Sequence, residues 1–272
     1  MTAPSPFAVP ERLLALGTEF TRHHDALSAI TLLRGPDPAS NLSRHIPRTQ
    51  ALARGALDVP DLLRGLMLYR SPAILAGLAR TKQLAALATA AADHLLDAVD
   101  FLHDAHRPTT DPEDMATAYR RALLEAGQRV TLALQLTALG AEDCLTAADT
   151  FARQMRRQHL TPNHRPPSLS PTQHAALEAA ARGDMTLDRL NDKPFVRRGD
   201  ARVTISTIRS LEARDLVKRE ECPLLLHDQR IHLTTEGCRT LAATLGRPPT
   251  PALATPRIAA PLASNTSRPQ AR

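Results

Sequence analysis

The chain has no tryptophan, two tyrosines and five phenylalanines in 272 residues, with only seven valines and seven isoleucines. Aromatic and β-branched side chains are the ones that suit a pleated, half-buried surface. Their scarcity excludes a sandwich, a barrel or a large parallel sheet. The three cysteines, Cys144, Cys222 and Cys238, include no CxxC pair. An odd, scattered set gives no disulfide framework, so a reducing, cytoplasmic setting is expected. The longest weakly charged run, Val130 to Ala141, is far short of the roughly 20 apolar residues that span a bilayer, and no membrane partner is expected. Met1 to Val9 has no basic segment followed by an apolar one, so no signal peptide is expected. A P-loop, a GxGxxG, a nucleophile elbow and a metal-protease helix are all missing. The expectation is a protein that is not an enzyme and carries no cofactor.

What the chain does have is 45 alanines and 42 leucines, residues that favour helix. A hydrophobic content of 43% is enough for a packed core. The formal net charge is +6, with 31 of the 34 basic residues arginine. Residues 1–166 and 167–246 each carry only +1, whereas residues 247–272 carry +4 with no acid. That tail alternates Pro, Thr, Ala, Ser and Arg around Leu253, Ile258 and Leu262, a composition expected to be disordered. It can add nonspecific affinity for nucleic acid but reads no sequence.

Residues 11–34 read as a helix stopped by Gly35-Pro36, followed by a Pro/Ser/Asn-rich stretch to Pro47 and shorter helices near 48–57 and 61–69. Ser71-Pro72, a capping hydroxyl with proline at the first helical position, starts a long helix to about His106. Arg107 to Thr110 breaks it, and Asp111-Pro112-Glu113-Asp114 starts another, its acids favourably placed near the N-terminus. Leu84, Leu87, Ala91, Leu95, Ala98 and Leu102 on the first recur at steps of three and four. Met115, Tyr119, Ala122, Ala126, Val130 and Ala133 do the same on the second. Two long amphipathic helices with a short break predict an antiparallel helical hairpin. Gly140 interrupts, and a last helix covers about 142–159. Asp93, Asp97, Asp100 and Asp104, with His94, His103 and His106, read as a solvated acidic face, since no Glu-x-x-His motif accompanies them and no metal is expected. Residues 1–160 thus form a helical bundle for dimerisation or for binding a partner or ligand. Residues 161–167, with three prolines in seven, form a linker.

The texture changes over 168–246. Six of the fourteen Val and Ile residues fall between Val196 and Ile231. Ser170-Pro171 opens a helix to Gly183, and Met185 to Leu190 reads as a second, short helix. Thr204 to Arg214 reads as a third, with Ile208 and Leu211 inward. Leu216 to Glu220 and Arg230 to Leu233 are strands flanking a wing whose tip, Cys222 to Asp228, is apolar. Thr234 then caps a final helix. Asn191 to Ala201 is either a small hairpin, Val196-Arg197-Arg198 turning at Gly199-Asp200 into Arg202-Val203, or a lead-in whose Asp200 caps a longer third helix. The expected fold is mainly α, a helical bundle followed by a winged helix-turn-helix with a small β-wing.

Three stretches in this segment, Leu169 to Gln173, Leu211 to Arg219 and Leu233 to Gly237, resemble the landmarks of MarR-type winged-helix transcriptional regulators. The resemblance covers about 168–246 and does not extend to the N-terminal bundle. It implies that the third helix enters the major groove of double-stranded DNA, that the wing touches the backbone, and that the protein is a homo-oligomer, here through the N-terminal helices. Arg202, Ser206 and Arg209 lie at i, i+4 and i+7 on the face opposite Ile208 and Leu211, where they would contact bases. Lys193, Arg197, Arg198, Lys218, Arg219 and Arg230 would neutralise phosphates. The alternative is a protein–protein interaction module that uses the apolar wing. Cys222 and Cys238 bracket the wing, where an oxidation-sensing thiol is weighed against a buried structural one.

Overall fold

The computed structural model describes residues 5–28, 33, 35–66, 69–105, 112–188, 190, 193–197, 203–222 and 228–247. It is mainly helical, with one small antiparallel sheet of four strands. The first six helices are α1 (Ala8–Leu27), α2 (Pro38–Ser43), α3 (Ile46–Arg64), α4 (Pro72–Asp104), α5 (Pro112–Ala138) and α6 (Gly140–Arg157). Then follow α7 (Pro171–Ala181), β1 (Met185–Asp188), β2 (Lys193–Val196), α8 (Ile205–Glu212), β3 (Val217–Glu221), β4 (Asp228–Leu233) and α9 (Thr235–Thr244). No helix among the described residues is long and apolar enough to cross a membrane.

α1 packs against α3, α5, α6 and α9. It ends at Leu27, earlier than expected, and residues 29–32 and 34 lie outside the described residues. The two short helices expected near 48–57 and 61–69 are one, α3, with Pro60 inside it. An interior proline costs about 3 kcal/mol. Leu52, Ala56, Val59 and Leu63 recur at steps of four and three along its buried stripe, and their burial offsets that cost. The Pro/Ser/Asn-rich stretch holds a further helix, α2, with Pro38 at its first position and Asp37 accepting from the Ser40 amide at 3.0 Å. α4, about 50 Å long at 1.5 Å per residue, starts as expected, with the Ser71 hydroxyl accepting from the Ile74 amide. Ala91, Leu95, Ala98 and Leu102 of α4 share a core with Ala126, Val130 and Ala133 of α5, and the short connection makes the pair antiparallel. Gly140 is where α6 crosses α1: a Cβ there would fall inside the Phe20 ring.

α7 carries a full capping box between Ser170 and Gln173. It ends in a Schellman motif, with the Asp184 amide bonded to the Ala179 carbonyl and Gly183 at φ +72°. The chain leaves that turn extended. Met185 to Asp188 is therefore strand β1, not the short helix expected there. Its apolar residues alternate with polar ones, and four residues are too few for a helical period to outvote a period of two. The longer third helix capped by Asp200 does not form, and the turn of the expected hairpin at Gly199-Asp200 lies outside the described residues. β2 pairs with β1, Val196 opposite Met185 and Lys193 opposite Asp188, and α8 is capped by Thr204. The sheet order is β2-β1-β4-β3.

One face of the sheet joins the main core. Met185, Leu187, Ile231, Leu233 and Val217 cluster there with residues of α7, α8 and α9 and with Leu13, Leu145 and Phe151 of the bundle. The two sides of the 161–167 stretch thus share a continuous apolar interior, and His164 in that stretch lies 3.2 Å from Glu236 of α9. The opposite face of the sheet is polar and turns toward α1.

Candidate nucleic-acid interface

α8 is built to present one side. The Thr204 hydroxyl accepts from the Thr207 amide at 3.3 Å, and Ile208 and Leu211 are fully buried. Gln173 Nε2 donates to Ser210 Oγ at 3.0 Å, fixing α8 on α7. Beyond the helix, Leu216 bonds back to the Leu211 carbonyl and Asp215 takes φ +54°, filling the left-handed position at which aspartate is tolerated. Ser206 and Arg209 are exposed on the outward side, as their spacing predicted. Ser206 Oγ lies 2.8 Å from Thr204 Oγ1, so the capping group orients it. Arg198 and Arg202 lie outside the described residues.

Among the described residues, the phosphate-contact set is divided between different parts of the fold. Arg230 is 3% exposed and does not reach the surface. Its Nε and Nη2 donate to the two carboxylate oxygens of Asp25 at 2.9 and 2.6 Å, and its Nη1 donates to the Gly183 carbonyl at 2.8 Å. A residue expected on the wing surface is instead the buried tie between β4 and α1. Arg219 is half-buried and bidentate to Glu212, at 2.5 and 2.8 Å, joining β3 to α8. Lys218 is exposed, 2.7 Å from Glu220. Arg22 of α1 is also bidentate to Glu220, at 2.6 and 2.8 Å. Burial acts to raise the Glu220 pKa, but hydrogen bonds from Arg22 and Lys218 outweigh it and hold the group at about 2.

Register assigns Lys193 and Arg197 to a different surface. Phe195 stands opposite Thr186, and Thr186 stands opposite Arg230, whose side chain reaches α1. Residues two apart on a strand share a face. Lys193, Phe195 and Arg197 therefore belong to the sheet face away from α8, and all three are exposed. Phe195, which the sequence reading did not single out, is 62% exposed. The signal that would have found it is the alternation Lys-Pro-Phe-Val-Arg, legible only once 193–197 is known to be extended.

A groove of about 590 Å³ runs between α1 and the β3–α9 side, with Glu11, Arg22, Lys218, Cys238 and Arg239 among its walls. Its charges are largely paired within the protein, as Glu11 with Arg239 at 3.9 Å and Arg22 with Glu220. Burial raises the Glu11 pKa against the pull of Arg239. None of the three cysteines forms a disulfide, and all are buried. Burial pushes the Cys238 thiol up to about 12, which keeps it protonated and poorly nucleophilic. Among the described residues no group of three or more His, Cys, Asp and Glu side chains is placed to hold a metal ion. Compared with known proteins, the chain matches no family model, no curated protein and no solved structure.

Proposed function

We propose that the chain is a non-enzymatic cytoplasmic regulator of transcription that binds duplex DNA through α8. The observation that carries this reading is a short, firmly seated helix whose outward side holds Ser206 and Arg209 and which leads directly into the β3–β4 hairpin. The order helix then hairpin fits the MarR-type resemblance of the same segment, with strands β1 and β2 standing where a second helix was expected. Arg209 would pair bidentately with guanine, as would Arg202 of the segment before α8, each good pair giving about 1–3 kcal/mol of discrimination. Lys193 and Arg197 take no part in this docking, and Arg230 serves the fold. A second copy joined through the N-terminal helices would place two such helices on half-sites about 34–36 Å apart. Leu124 and Leu132 of α5, 70% and 39% exposed, with Leu139 just beyond its end, 53% exposed, support that contact.

The test is anisotropy with genomic fragments at two salt concentrations. Arg209→Ala and Arg202→Ala are expected to lower affinity for the preferred fragment and flatten the preference. Equal binding of all fragments, unchanged by either substitution, overturns the reading. The second reading is an interaction module without DNA recognition. It draws on the pairing of Arg219 with Glu212, Lys218 with Glu220 and Arg230 with Asp25, which leaves few cations around α8 for phosphates.

A further inference from the structure

The edge strand β2 carries a chemistry that the α8 reading does not use. Lys193, Phe195 and Arg197 alternate along it on one face, which places Phe195 about 7 Å from each cation along the chain direction. Arg197 stays in line because its amide bonds to the Asp184 carbonyl at 2.9 Å. A phenylalanine 62% exposed in the middle of a strand leaves most of its surface open to solvent. Leu190, in the β1–β2 connection, is 74% exposed as well. The counter-charge is Asp188, opposite Lys193 in register, whose carboxylate accepts from the Leu190 amide at 2.8 Å. Thr186 stands opposite Phe195, and next along the ladder Asp184, whose carbonyl accepts the Arg197 amide, is a buried residue.

We infer that this face binds single-stranded nucleic acid, one unpaired base stacking on Phe195 while Lys193 and Arg197 hold the flanking phosphates. The flat ring supplies the sequence-tolerant contact, because every base has a π-face, and the two cations supply charge complementarity to the backbone. A duplex buries its base faces within its own stack and cannot offer them to an exposed ring. The site is thus distinct from α8 in both position and ligand. It is also independent of the duplex reading: either can fail while the other stands.

The experiment uses the full chain and three fluorescein-labelled probes, a 12-nucleotide single-stranded DNA, the RNA of the same sequence and the corresponding DNA duplex. Single strands are expected to bind Phe195→Ala about 10-fold or more weakly than wild type, whereas Phe195→Trp keeps or improves the affinity. Two phosphate contacts give a log–log salt slope of about −1.4 for single strands, falling to about −0.7 in Arg197→Ala. Because Phe195 is exposed, these variants keep the fold, which far-UV circular dichroism checks. RNA binding well above DNA marks the 2′-hydroxyl as part of the site, and equal binding marks the base and phosphate alone. Wild-type affinity in Phe195→Ala, or no binding of either single strand, overturns the inference.

Discussion

Asp25 of α1 and Arg230 of β4 form a bidentate ion pair with each side chain 4% exposed, 205 residues apart in sequence. The guanidinium also donates to the Gly183 carbonyl at the end of α7, so one side chain ties together three elements. A second pair, Arg22 with Glu220, lies one helical turn away with the signs exchanged. The polar face of the sheet is therefore matched to α1 by charge, with a base and an acid from each side.

The two pairs differ in what their removal costs. Asp25→Ala leaves a buried guanidinium without its counter-charge and is expected to lower stability by about 3–5 kcal/mol. Arg22→Ala touches a pair whose side chains are 37% and 29% exposed and is expected to cost about 1 kcal/mol or less. Urea unfolding of both variants gives the comparison. Equal, small losses would refute the buried tie.

Much of the architecture was readable because its causes are local. Ser71, Ser170 and Thr234 each cap the helix their sequence context announced, and the third helix starts at Thr204 where it was expected to. What was not readable depends on partners distant in the chain. Met185 to Asp188 becomes a strand because Arg230 and its neighbours lie beside it on one flank and Lys193 to Val196 on the other. Arg230 looked like any wing arginine until Asp25 was brought against it. The exposure of Ser206 and Arg209 followed from helical period alone, while the orientation of Lys193 and Arg197 required the register of a sheet that no local pattern specifies.

Gly140 tests the packing of α6 on α1. Alanine is the better helix former by about 1 kcal/mol, so at an open site Gly140→Ala would stabilise. Here the added methyl would occupy the space of the Phe20 ring, 1% exposed, and overpacking is expected to cost about 1–3 kcal/mol net. Phe20→Leu, destabilising by itself, should recover part of that loss when combined with Gly140→Ala. Thermal unfolding of the two single variants and the double variant measures the coupling, and simple additivity would argue against the contact.

Two imidazoles set a pH dependence. Burial, with Arg22 nearby, lowers His232 to about 4 against the pull of Glu220 and Asp25. Burial, with His45, Arg48 and His24 nearby, lowers His23 to about 4, where its Nε2 meets Thr49 Oγ1 at 2.8 Å. Between pH 6.5 and about 4 the unfolded chain binds protons that the folded chain refuses, so stability falls as pH falls through that window. Each group contributes a slope of about 1.4 kcal/mol per pH unit. Glu220, held at about 2, acts lower: its stabilisation is complete above 4.5 and is lost toward pH 2. Urea midpoints at pH 7, 6 and 5 should fall in order. His232→Gln and His23→Gln should each flatten the fall by about one proton, and unchanged slopes would show that these rings are charged in the folded state.

The stripe on α5 gives a prediction on assembly. Leu124→Glu with Leu132→Glu places two carboxylates on a side proposed to meet its copy. Desolvating unpaired charges there is costly, so sedimentation equilibrium should show a shift to monomer with the helical circular dichroism retained. A wild-type chain already monomeric at tens of micromolar would remove the proposal.

Salt dependence separates the arginines that hold the fold from those proposed to hold DNA. Replacing Asp25 and Arg230 together, as Asp25→Leu with Arg230→Met, removes a buried ion pair without leaving a lone charge, and such replacements are often neutral or stabilising. If Arg230 serves only the fold, this double variant keeps both the duplex affinity and its salt slope. Arg209→Ala removes a cation from the reading side of α8, and the affinity for the preferred duplex should drop. Lys193→Ala and Arg197→Ala, on the other face of the sheet, should leave the duplex slope unchanged while reducing the single-strand slope by about 0.7 each. A drop of about 0.9 in the duplex slope on losing Arg230 would mean that its guanidinium leaves Asp25 to meet a phosphate. That outcome would turn the tie between α1 and β4 from a fixed element of the fold into one that opens on DNA.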